Sequence, residues 1–366
     1  MEKNNRPSRV PEKRVNNREQ IKRQQRQIAQ NRQTIMNRAF IAGGAALAAF
    51  GIAGGAYLAS GQDSDGFSQV SESSQSIDFA EQLPITDVTQ AEILNQAEEV
   101  FGQYENLFGV ELNKEEIRSS ISLVPNVSKM TPEEYAKYCY PQENCSGFMA
   151  TTMDDRQIFI FKDAFDGSLK GLRNSKKNQT IKEDLIRDTV AHEITHFIAK
   201  KVPISDELFA LTIKYLGNSN VGVDPSKLRK RNVNGAIIEL GIEGDTTYVQ
   251  YFRGVEEAES IVIAQYLVQH QERPSVLPYD NPSFNDYYPV ETTMLNQLLR
   301  KFDGGMADGI IQIAQLRPKE NGREEICKLI GRQLGADEQS AMEYGFQVLV
   351  AINTKNYDKF KQLVGN

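Results

Sequence analysis

The chain has 366 residues, 40% of them hydrophobic and 25% charged, ordinary proportions for a globular protein that can bury a sizeable core. Its net charge of −7 is unevenly placed, because residues 1–38 hold eleven Lys/Arg against three Asp/Glu and leave −15 for the rest. Three cysteines with no Cys-x-x-Cys pair leave a thiolate zinc site or a thioredoxin-type redox centre without support.

The lead, residues 1–38, is rich in Arg, Gln and Asn and has no aromatic residue. It cannot bury a core, so a disordered basic tail is expected. Attraction to anionic lipid accounts for its charge, and no nucleic-acid partner is expected. Ala39 to Ser60 follows, with no charge between Arg38 and Asp63. About 20 uncharged, mostly apolar residues are enough for a helix to cross a bilayer. The glycines suit a membrane helix better than a soluble one, and Gly51-x-x-x-Gly55 lets a neighbouring helix approach. The basic flank keeps the N-terminus cytoplasmic and puts the remainder outside. Residues 39–60 thus read as a single-pass anchor in contact with membrane lipid. A signal peptide cleaved near Leu58-Ala59-Ser60 is the alternative. Residues 61–83 are a Ser/Gln/Asp linker.

From 84 to 366 the pattern is that of an α+β domain in which strands fall early and helices dominate late, with a helical C-terminal part from about 290. The apolar spacing predicts a helix over Thr89–Leu107. Ile117–Val124, Phe148–Thr152 and Ile158–Phe161 read as strands, and Ser168–Gln179 as a polar loop. Cys139 and Cys145 are a small disulfide loop or two separate thiols, whereas Cys327 lies in an apolar helical pattern as a buried hydrophobe. Ile181–Lys201 is the strongest helix, and Ser205–Leu216 another with Ser205 as N-cap. Gly235–Phe252 reads as a hairpin turning at Gly244-Asp245, and Gly254–Gln271 as a helix. Five more helices are expected beyond a Pro/Tyr/Asn-rich loop over Pro274–Pro289: Val290–Phe302, Met306–Leu316, Arg323–Leu334, Glu338–Ile352 and Tyr357–Val364.

The chain has three histidines, and two of them, His192 and His196, lie one turn apart on the strongest helix. Residues at i and i+4 share a helical face, so both imidazoles can grip one ion. Glu193 points to the adjoining side, where it can reach a metal-held water without ligating the metal; this is the logic of H-E-x-x-H. Zn²⁺ suits two neutral imidazoles and a carboxylate with one open position.

Thr189–Phe197 with the preceding strand Ile158–Phe161 resembles the zincin metallopeptidases. The resemblance implies a zincin-like fold in which that strand runs along the cleft and pairs with an extended substrate. Ala199 and Val202 stand where a metzincin has glycine and histidine, which leaves the gluzincin type. Gly254-Val255-Glu256-Glu257-Ala258-Glu259-Ser260 looks like the Asn-Glu-Ala-x-Ser stretch of thermolysin-like enzymes, which makes Glu257 the third ligand. The family's Asp one turn later is Ile261 here, so support for the histidines must come from elsewhere. Read from the helix alone, Glu257 shares its row with the apolar Ile261, Ala264 and Val268, a place where a carboxylate needs a partner. Glu256, Glu259 and His270 remain alternatives, and a solvated first turn accounts for at least one of the acids.

The expected activity is zinc-dependent hydrolysis of peptide bonds, more in the manner of an endopeptidase than an exopeptidase. Glu193 takes a proton from zinc-held water and passes it to the leaving amine. Substrates are peptides or proteins. Tyr248, Tyr251 and His270 flank the ligand helix and read as structural. The competing class is a zinc-binding cell-envelope scaffold or an inactive peptidase-like binding protein.

Overall fold

Turn chemistry and capping decide where the elements of this chain start. The computed structural model describes residues 87–125, 129–131, 134, 137–138, 150–152, 156–170, 175–199, 201–216, 223–235, 237–270 and 288–365. The expected anchor over 39–60, the linker over 61–83 and the Cys139–Cys145 loop lie outside these. Among the described residues no helix is long and apolar enough to cross a membrane.

Helix α1 (Gln90–Phe108) opens on a capping box, in which the Thr89 hydroxyl accepts from the Glu92 amide and the Glu92 carboxylate accepts from the Thr89 amide. Residues 114–120 are helical, as α2 (Lys114–Ser120), and not the first half of a strand. The Asn113 side chain accepts from the Glu116 amide, so an Asn-x-x-Glu cap overrides the single apolar residue, Ile117. Strand β1 (Ile121–Val124) keeps the expected end. It is followed by β2 (Ala150–Thr152), β3 (Ile158–Phe161) and α3 (Lys162–Leu169). The expected loop over 168–179 shrinks, because α4 (Lys176–Ile198) starts early on the Ser175 cap, which accepts from the Asn178 amide.

The first sheet has the order β1-β3-β2, with β1 parallel and β2 antiparallel to β3. Ile158–Phe161 is therefore its central strand. Both of its edges are paired, so it cannot add a substrate strand, contrary to the expectation. The outer edge of β1 is occupied as well. The Gln90 carboxamide donates to the Ile121 carbonyl at 3.0 Å and accepts from the Leu123 amide at 2.7 Å, much as a neighbouring peptide group would. Among the described residues no strand pairs with β2 on its other side.

A second, antiparallel sheet has the order β4 (Lys201–Pro203), β5 (Leu228–Asn234), β6 (Ile237–Ile242), β7 (Tyr248–Tyr251). The β6–β7 hairpin matches the expected one and turns at Gly244, whose φ of +77° suits glycine. Strand β5 has no readable alternation, because a bulge between Lys230 and Asn232 shifts the register. Helix α5 (Asp206–Leu216) begins on Ser205, whose hydroxyl accepts from the Leu208 amide.

Helix α6 (Arg253–Gln269) packs against α1, α4, α7 (Pro289–Leu299), α8 (Gly305–Leu316) and α10 (Ala341–Asn353). Helices α9 (Gly322–Gln333) and α11 (Tyr357–Val364) complete the C-terminal helical part. The architecture is α+β, as expected. The described residues all fall in one unit, Ser76–Asn366. Its core runs from Phe101, Tyr104 and Phe108 through Ile194 and Val262 to Leu298, Phe346 and Phe360, and each large apolar side chain fully buried there contributes about 1.5–3 kcal/mol. Cys327 is a free, buried thiol in that core, pushed up to about 12 by burial. Helices α9 and α10 touch backbone to backbone. A Cβ on Gly345 would lie 1.9 Å from the Cys327 carbonyl oxygen, and one on Gly331 would lie 2.0 Å from that of Ala341.

Candidate metal centre

Two helices bring the candidate ligands together. Every residue from Asp184 to Ala199 on α4 is buried except His192 and His196. On α6, every residue from Gly254 to Gln265 is buried except Glu257. These three breaks in otherwise buried stretches lie against one another. The two Nε2 atoms are 2.9 Å apart, and Glu257 Oε2 is 3.4 Å from each. The rings meet edge to face, at an interplanar angle of 77°. The entry of α6 helps aim Glu257. Phe252 takes a left-handed φ of +67° directly after β7 and turns the strand into the helix within one residue, its ring held against Phe346.

The triangle of donor atoms has the size a zinc ion requires. Bonds of about 2.0–2.1 Å in tetrahedral array put ligand atoms about 3.3 Å apart. The three atoms are of the right chemistry, two imidazole nitrogens and a carboxylate oxygen.

Glu193 lies on the other side of His192, buried at 5% exposure. Its Oε2 accepts from the Thr152 hydroxyl at 2.7 Å, which seats it against strand β2. Burial raises its pKa, with the two imidazoles and the Thr152 bond pulling the other way.

Of the alternatives to Glu257, Glu256 is turned inward, and its Oε1 accepts from His196 Nδ1 at 2.6 Å. Carboxylates only accept, so the His196 proton sits on Nδ1 and its Nε2 is left free to ligate. Glu256 thus takes the place of the acid that Ile261 leaves vacant. Glu259 is fully buried between Arg317 and Arg323. His270 is exposed at the end of α6, stacked on Tyr266 and donating to its carbonyl at 2.8 Å. It lies about 20 Å along the helix from Glu257. Tyr251 is buried in β7 and Tyr248 lies under the Arg231 guanidinium.

Four contributors escape a reading of the sequence. Thr152 ends a three-residue strand, and Arg317 and Arg323 come from helices whose own periodicity gives no reason to single them out. Tyr288, the residue before α7, falls at the end of the loop expected over 274–289. Its phenol is pushed up to about 12 by burial and then by the charge of Glu257, so it is a neutral O–H donor at pH 7.

Burial disfavours charge on both His196 and Glu257, but on His196 the carboxylates of Glu256 and then Glu257 outweigh it, and on Glu257 the two imidazoles do. The His196 pKa is held well above 6.5, and that of Glu257 well below 4.5. The raised histidine adds stability below its unfolded pKa, and this is lost as pH rises through the folded value. The lowered carboxylate adds stability above its unfolded pKa, and this is lost as pH falls. Protein kept in a chelator is therefore expected to unfold at lower urea concentration at pH 9 than at pH 6. A midpoint that does not fall across that range would contradict the pairing.

Comparison with protein-family models, with curated proteins and with solved structures found no significant match to this chain.

Proposed function

We propose that this protein is a zinc-dependent metallopeptidase of the zincin type, with His192, His196 and Glu257 as ligands and Glu193 as the proton-transfer group. The observation that carries the reading is that the three residues breaking the buried stretches Asp184–Ala199 and Gly254–Gln265 are two imidazoles and a carboxylate, with ligand atoms 2.9–3.4 Å apart.

Charge supports it independently. Glu193, Glu256, Glu257 and Glu259 crowd this region, and the buried cations that meet them among the described residues are Arg317 and Arg323. Those two hold Glu256 and Glu259. Glu193 and Glu257 are left with the two imidazoles as their partners, and a divalent cation at the shared position would supply the charge the two acids call for. Arg253 Nε is 3.9 Å from Glu257, but that side chain is 33% exposed and water screens it.

A zinc ion held there would polarise a substrate carbonyl and acidify water. The chain's own groups do the rest. Glu193, with its pKa raised by burial, is suited to take a proton and hand it to the leaving amine. Thr152 fixes the oxygen that does not relay. Tyr288 is the nearby neutral donor for negative charge developing on the carbonyl oxygen. The edge of β2 away from β3, which no strand pairs with among the described residues, lies beside Glu193 and would take an extended peptide, so the substrate is an unfolded or loop segment of protein. The charge-free run of residues 39–60 behind the basic lead supports attachment to a membrane, with the peptidase outside the cytoplasm.

The test is zinc binding and proteolysis by the full-length protein. One zinc per chain is expected, together with cleavage of an unfolded protein that a chelator stops and zinc restores. His192→Ala, His196→Ala and Glu257→Ala are each expected to abolish stoichiometric binding. Wild-type protein that takes up no zinc at micromolar concentration would sink the proposal.

A further inference from the structure

The side chain of Arg317, just past the end of α8, is wholly buried. Its Nη1 donates to Glu259 Oε2 at 2.9 Å, and that bond alone would fasten α8 to α6. Its Nη2 goes further. It donates to Glu256 Oε1 at 2.8 Å, to Ser260 Oγ at 3.2 Å and to the Thr195 carbonyl at 3.2 Å. Two of these acceptors, Glu256 Oε1 and Ser260 Oγ, lie 2.6 Å and 3.2 Å from His196 Nδ1, and the third belongs to the residue before His196. One guanidinium nitrogen therefore touches the groups that surround the outer nitrogen of that ring. Arg323, at the start of α9, holds Glu259 through two bonds of 2.9 and 2.7 Å, and its Nε donates to the Gly235 carbonyl.

We propose that Arg317 is a positioning residue for the metal site: acting through Glu256, it fixes the ring plane and tautomer of His196, so that retention of the ion depends on the C-terminal helices. A carboxylate at the position of Glu256 has two stable uses. Held by Arg317, it accepts from Nδ1 and leaves Nε2 as the ligand. Released, it is a buried acid one residue from Glu257, able to swing toward the same cation, and the ring then loses its fixed partner. Arg317 selects the first use because its planar fork reaches Glu256 and Glu259 together, which a lysine ammonium cannot do. With Ile261 where the family's acid would stand, the sequence leaves this duty unassigned, and the cation that governs Glu256 comes from the end of a separate helix far downstream.

The inference rests on the metal reading above, and the test separates the two. Full-length protein is stripped with a chelator and titrated with Zn²⁺ against a chromophoric competitor, and with Co²⁺, whose visible absorption reports ligand geometry. Wild type, Glu256→Gln and Arg317→Lys are compared, with urea midpoints measured in parallel. Both variants are expected to bind zinc about 10–100-fold more weakly and to give altered Co²⁺ bands. Glu256→Gln keeps the Arg317–Glu259 bond, so it decides the matter even where Arg317→Lys fails to fold. Zinc affinity and Co²⁺ bands in Glu256→Gln equal to those of wild type would reduce Arg317 to a fastening between helices. Wild-type protein that binds no metal overturns the metal reading and this inference together.

Discussion

Glu193→Gln is expected to lower the rate of peptide hydrolysis by about 10²–10⁴-fold, equivalent to about 3–5.5 kcal/mol of barrier, with zinc content unchanged. The substitution keeps the shape and still offers the Thr152 hydroxyl an acceptor, so the bond at 2.7 Å can persist. What it removes is the one oxygen able to bind and release a proton. Glu193 is not among the three residues whose ligand atoms converge at the candidate site, so zinc uptake is expected to be unaffected. The measurement is paired: zinc by metal analysis, and turnover of an unfolded protein. Bound zinc with unaltered turnover would move the chemistry to another group. Bound zinc with no turnover in either protein would favour the scaffold reading.

The largest effect on stability is expected away from the site, at Gly345→Ala. Its new Cβ would meet the Cys327 carbonyl at 1.9 Å, and that carbonyl belongs to the backbone of α9, so no rotamer change relieves the contact. Alanine gains about 1 kcal/mol in helix propensity, whereas overpacking of this kind costs about 3 kcal/mol or more. The net is a melting temperature several degrees lower, since 1 kcal/mol corresponds to about 2–4 °C in a domain of this size. Gly102→Ala is the opposite case. A Cβ there has nothing within 4 Å, and the residue lies inside α1, so stabilisation by about 0.5–1 kcal/mol is expected. Thermal melts of the two variants check both signs, and a neutral Gly345→Ala would contradict the close approach of α9 and α10.

The His192–His196 spacing and the intervening Glu193 are local facts of one helix, which is why they can be read without a structure. The row of Glu257 with Ile261, Ala264 and Val268 is equally local and supports the choice that the likeness to the thermolysin-like stretch makes, while leaving Glu256, Glu259 and His270 open. The helices of the C-terminal part were legible because their apolar periods are long. What could not be read is set by contacts distant in sequence. Nothing local in Glu256 tells that it turns toward His196, and nothing in Arg317 tells that it meets both Glu256 and Glu259. The central place of β3 is of the same kind: Ile158–Phe161 is the more apolar run because it lies between β1 and β2, and a strand paired on both edges cannot add a third. The short helix at Lys114–Ser120 was within reach of the sequence, through Asn113 and Glu116.

The positions of Arg317 and Arg323 bear on the order in which the protein is made. When the ribosome has released α4 and α6, both imidazoles and all the surrounding acids exist, yet neither arginine has been added. At about 5–20 residues per second, the remaining stretch takes seconds to follow. Through that interval Glu256 and Glu259 lack their cations, so the nascent chain cannot close this network. Closure of this network therefore waits until the helices that carry the two arginines have been made.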